Sequence, residues 1–215
     1  MSLPSSQPVF NAPSRFFAQF VSIVFHPLFT GVWMMAYITF LHPTLFIAVS
    51  GQSRLLKFVT FLNNNLVFPL LVVFLLKGLG FSQSVLLRTQ KERIVPYVAS
   101  SIFFFWTWNV FNHQPDAPQV LRDTCQGIFF ATSAALMLNS FFKISMHAIG
   151  MGGLVGLMLV IALSGQAYSP WPMAAGIFLA GLVSSARLMV SDHHPFDILS
   201  GLVLGFLAQL TAWYL

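Results

Sequence analysis

Charge is the scarcest property of this chain. Five of its 215 residues are acidic, ten are Lys or Arg, and charged residues make up 7% of the whole. Roughly a quarter of an ordinary soluble domain is charged, so a soluble fold is excluded. Cysteine occurs once, at Cys125. That excludes an internal disulfide and says nothing about compartment. Internal repeats and low-complexity tracts are absent. Long polar stretches are missing too, and none could form a second domain. The expectation is one integral membrane domain over residues 1–215, with 1–14 as a polar, proline-bearing tail. That tail lacks a cleavable signal pattern, so the first apolar segment is expected to remain as a span.

What is present is apolar. Hydrophobic residues reach 57% and mean hydropathy is +0.79, which is the composition of a polytopic membrane protein. The fold class predicted is all-α, a transmembrane helix bundle of about six or seven spans. The segments are Phe16 to Leu41, Phe58 to Leu79, Val98 to Phe111, Gln126 to Phe142, Ala148 to Leu163, Met173 to Val190, and a last one beginning near Pro195. His26-Pro27 interrupts the first with a kink. Asn63, Asn64 and Asn65 in the second are expected to face other helices or a wet cavity rather than lipid. Gly152 with Gly156, and Gly201 with Gly205, have the small-xxx-small spacing that lets helices approach closely. Residues 112–123 form a polar turn outside the membrane. The net charge of +5 does not call for nucleic acid. The basic residues lie in short loops, where they set topology or meet lipid headgroups.

Polar chemistry is gathered in three islands. The first, residues 88–96, holds Arg88, Lys91 and Arg93, either a topology-setting loop or an anion clamp. The second contains Ser145 and His147. The third runs from Arg187 to Asp197 and holds two of the five acids beside His193 and His194. Pro195 suits the first position of a helix. Asp197 then falls in the first turn and can reach back four residues to His193. A carboxylate on one imidazole nitrogen leaves the other available to attack an electrophile. The positive helix end and Arg187 favour an anion there. Taken alone, the same pattern also fits a capped helix start with interfacial histidines. Two spans separate each island from the next, and an even number of crossings brings all three to one membrane face. Together they supply cations, a hydroxyl and two imidazoles, which suits phosphoryl transfer.

The order and spacing resemble the type 2 phosphatidic acid phosphatase superfamily. Its third motif, Ser-Arg, five residues, His, three residues, Asp, is matched by Ala186-Arg187, His193 and Asp197, with only the serine changed. Its second, Pro-Ser-Gly-His, is matched by Ile144-Ser145-Met146-His147, without the proline and glycine. Its first, Lys, six residues, Arg-Pro, is matched at Pro96, with Arg88 in the lysine place and Val95 in the arginine place. The resemblance implies a membrane lipid phosphatase acting on a phosphate monoester or diphosphate through a phosphohistidine. It implies His193 as nucleophile, Asp197 as its orienting partner and His147 as general acid and base. Arg187, Ser145, Lys91 and Arg93 would hold the phosphate. It implies no cofactor and no metal, a lipid phosphate and membrane lipids as the partners, and the bacterial inner membrane as the location. The alternatives are a lipid phosphotransferase with the same intermediate and a non-catalytic anionic-lipid transporter or binding protein. Basic residues favour the site face by seven to three. Five of the seven lie in the islands themselves, so the positive-inside rule decides no sidedness.

Overall fold

A computed structural model describes residues 11–81, 90–190 and 193–215. Arg88 and Asp192 lie outside these residues. Every regular element among them is a helix. Helix α1 (Ala12–Val24) and helix α2 (Pro27–Ala36), which runs on as a π-helical turn to Leu41, are bent by 59° at a short break. Pro27 occupies the first position of α2 and His26 caps it, its Nδ1 accepting the Leu28 N–H at 3.4 Å. Helices α3 (Gly51–Leu62) and α4 (Phe68–Gly78) are one 28-residue span joined by a π-helical turn at Asn63–Val67. Then follow α5 (Gln90–Asn112), α6 (Gln119–Leu138), α7 (Met146–Leu163), α8 (Trp171–Val190) and α9 (Pro195–Tyr214). Among the described residues, five spans are long and apolar enough to cross a membrane, or six if the bent α1–α2 pair is one span. The protein is an all-α, integral membrane helix bundle.

Span starts and the asparagine cluster differ from the sequence expectation. The third span does not begin at Val98. Helix α5 starts at Gln90 and runs through Pro96. The proline removes only the bond to the Glu92 carbonyl, close to the helix start, and membrane helices tolerate such a break. From Gln90 onward the basic segment is therefore helical rather than a loop. Helix α6 begins at Gln119, seven residues before the expected span. Its polar start is satisfied locally: Gln119 donates to Asp123 Oδ1 and accepts from Arg122, each at 2.6 Å. The three asparagines also divide. Asn64 and Asn65 are buried, and Asn65 donates to Thr107 Oγ1 at 3.1 Å, whereas Asn63 is exposed. Three consecutive helical positions spread around the axis and cannot all face one neighbour.

Helix α7 is the hub, packed by α9, α8, α2 and α6. Its closest partner is α9, and the small residues explain why. The buried stripe of α9 includes Gly201, Gly205, Ala208 and Ala212, while Leu199, Val203 and Leu207 are exposed as a lipid-facing stripe. A Cβ on Gly205 would run into the Ile149 carbonyl, and one on Gly152 into the Leu202 carbonyl. Only glycine lets the two backbones come this close. Near the start of the hub, α6 returns the chain to where the described part of α5 begins. Gln90 and Asn139 exchange hydrogen bonds with each other's carbonyls at 2.9 and 3.0 Å.

Candidate active site

The start of α7, the start of α9, the end of α8 and the first turn of α5 meet at one end of the bundle. Ser145 is the N-cap of α7, its Oγ accepting the Ala148 N–H at 3.4 Å. Its own N–H donates to the Asp197 carbonyl at 3.1 Å. That bond ties the second island to the third. The first is tied in by Arg93, which donates to the Ile144 carbonyl at 3.3 Å. The three islands thus share one end of the bundle.

Asp197 lies in the first turn of α9, and its Oδ2 accepts the His194 N–H at 2.9 Å. The same oxygen stands 3.4 Å from His193 Nδ1. This is ion-pair distance, long for a hydrogen bond. It directs Nδ1 towards the carboxylate and leaves Nε2 as the other ring nitrogen. Burial first, then the charges of Arg187 and Arg93, push the His193 pKa from 6.5 down to about 4. His193 is neutral at pH 7 and keeps a lone pair. His147 is buried and its Nε2 lies 3.0 Å from the Ser22 carbonyl. A carbonyl only accepts, so Nε2 carries the proton and Nδ1 is the nitrogen left for chemistry.

Of the residues singled out from sequence, His193, Asp197, Ser145, His147 and Arg93 are all buried in this cluster. Arg187, at the end of α8, acts electrostatically on His26, His147 and His193. Lys91 is exposed on the first turn of α5, and no described contact brings it in. Three further groups stand at the cluster. Lys143 adds its charge to those acting on His193. It stands two residues before Ser145, which was the available signal. His26 lies against His147, with ring centroids 5.4 Å apart and planes at 83°. The Ser22 carbonyl carries no side-chain signal at all.

A cavity of about 200 Å³ opens beside this cluster. Arg93, His26 and Met146 line its site end, and Leu28, Met34, Leu70, Val73, Phe104 and Ile128 its body. It reaches as deep as Gln209, fourteen residues along α9 from Pro195 and so roughly 20 Å into the bundle.

The sequence model of the family described as the PAP2 superfamily matches residues 97–215, more than half of the chain. The chain belongs to the PAP2 superfamily. The match takes in the second and third islands of this PAP2 protein and begins just after Pro96. Helices α1 to α4 and Arg93 lie outside it. No curated protein and no solved structure matches the chain. The family has a phosphatase-type fold, and the cluster of cations and imidazoles is the candidate active site within it.

Proposed function

We propose that this PAP2 protein is a lipid phosphatase of the bacterial inner membrane. It hydrolyses a phosphate monoester or diphosphate of a membrane lipid through a phosphohistidine. The observation that carries the reading is His193, neutral and buried, with Asp197 at Nδ1 and the charges of Arg93 and Arg187 acting on it. A neutral imidazole next to fixed cations suits attack on a phosphorus whose oxygens those cations hold. The cavity supports a lipid substrate: its site end carries Arg93 and its body is apolar, as an amphiphile with an anionic head requires.

His193 Nε2 forms a bond to phosphorus and the bond to the lipid oxygen breaks. His147 enters this step as the imidazolium, a form the bound anion favours; it gives the Nδ1 proton to that oxygen and is left neutral, keeping its Nε2 proton on the Ser22 carbonyl. Water then attacks the phosphoryl group, His147 Nδ1 accepts the water proton, and the N–P bond breaks to release phosphate. Arg187, Arg93 and the Ser145 hydroxyl steady the equatorial oxygens. We take the reaction to need no metal, because guanidinium groups supply the positive charge. Activity lost on chelation and restored by a divalent ion would overturn that part.

Rapid-quench labelling with a radioactive aryl phosphate, stopped in alkali, tests the mechanism. The parent should show an alkali-stable phosphoenzyme and His193→Ala none. His147→Ala should still form it, because an activated leaving group needs little protonation. Asp197→Asn should fall between, since it can favour the wrong tautomer. Label that persists in His193→Ala places the nucleophile elsewhere. Release of phosphate from a lipid phosphate separates a phosphatase from a transporter or a phosphotransferase.

A further inference from the structure

The break between α1 and α2 lies outside the family match, yet it reaches the site. Pro27 begins α2 and ends the regular bonding of α1. The His26 N–H turns to the Ile23 carbonyl at 3.2 Å, where an unbroken helix would have sent it to Ser22. The Ser22 carbonyl becomes one of the orphan acceptors that every helix end leaves. His147, 125 residues later, supplies the donor from Nε2 at 3.0 Å. One residue before Pro27, the His26 ring meets the His147 ring edge-on. The His147 imidazole is thus held twice by one break, at a nitrogen and at the ring.

We infer that the α1–α2 break positions the acid–base histidine: the Ser22 carbonyl fixes the His147 tautomer so that Nδ1 faces the reaction, and His26 is a positioning residue that fixes the ring's rotation. This rests on His147 acting as proposed above. The competing account is that His26 merely caps α2 through Nδ1. Asparagine separates the two, because it is among the best N-cap residues but cannot present a ring to His147.

The protein as it stands is compared with His26→Asn on a lipid phosphate and on an activated aryl phosphate. If His26 positions His147, His26→Asn lowers kcat on the lipid phosphate about ten-fold, the scale of one lost aromatic contact. The burst rate of phosphoenzyme formation from the aryl phosphate falls less than about two-fold, because that step needs little proton donation. Phosphoenzyme then accumulates, since water activation also uses His147. If instead both substrates keep parent rates, or both fall equally, His26 is only a cap and the inference is overturned. His26→Phe is the second variant: it restores a ring while removing the cap. It recovers lipid-phosphate kcat relative to His26→Asn if the ring contact matters, and fails to if it does not. In a His147→Ala background, a further ten-fold loss from His26→Asn would also overturn the inference. A parent enzyme with no phosphoenzyme at all would strike the proposed function instead, and the two failures are thereby distinguished.

Discussion

Gly201→Ala probes whether the closeness of α7 and α9 is what assembles the site. Gly201 lies one turn beyond Asp197, against the start of α7. A Cβ there would fall 2.8 Å from the Ser145 carbonyl oxygen and 2.9 Å from Ala148 Cβ. Both neighbours belong to the first turn of α7, backbone or backbone-fixed, so neither can swing aside. Restoring an ordinary contact near 3.5 Å requires the helices to part by about 0.6 Å. The parting acts on the Ser145 N–H to Asp197 carbonyl bond of 3.1 Å, which joins the start of α9 to the start of α7. Misplacing reacting groups by about 1 Å can cost about a hundred-fold, so about 0.6 Å should lower kcat on a lipid phosphate about ten-fold. Overpacking should also cost about 1–3 kcal/mol of stability. The control is Gly181→Ala on α8, where nothing lies within 4 Å of the added Cβ. Alanine in an open helical position is favoured over glycine by up to about 1 kcal/mol, so this variant should unfold no earlier than the parent. Steady-state turnover and thermal unfolding in detergent read both effects. If Gly201→Ala folds and keeps the parent kcat, the α7–α9 spacing does not set the geometry of the site.

Two further outcomes follow from the charges around His193. Its pKa is held down to about 4 by burial and by Arg187 and Arg93, so the reactive neutral form is lost only as pH falls through about 4. Arg187→Gln removes one of the cations that disfavour the imidazolium and should move the acid limb of His193 acylation by diethyl pyrocarbonate upward, part of the way towards 6.5. A limb that stays at about 4, read by mass spectrometry of the modified peptide, would assign the whole depression to burial and the remaining charges. Between the basic residues of α5, Arg93→Ala should lower kcat/KM on a lipid phosphate by about a hundred-fold, as for loss of one transition-state donor, while Lys91→Ala stays within about two-fold; the reverse order would exchange their roles.

Much of this molecule is written in local sequence. Apolar runs gave the membrane class and the approximate place of the spans, because each run must bury its own length in lipid whatever its neighbours do. Pro195 marked the start of α9, and the four-residue spacing of His193 and Asp197 gave their pairing, since caps and single turns depend on nearby atoms alone. Boundaries at Pro96 and Gln119 were not legible, because proline and charge near a helix start are tolerated when local bonds satisfy them. Packing decided the rest. Lys91 and Arg93 are two residues apart and so point about 200° apart on their helix; which of them enters the site depends on the side of α5 that faces the Ile144 carbonyl. The bond from His147 to the Ser22 carbonyl spans 125 residues and uses a backbone oxygen that every residue possesses. Only the tertiary structure, by breaking α1 at Pro27 beside the start of α7, determined that this carbonyl and His26 would meet the site.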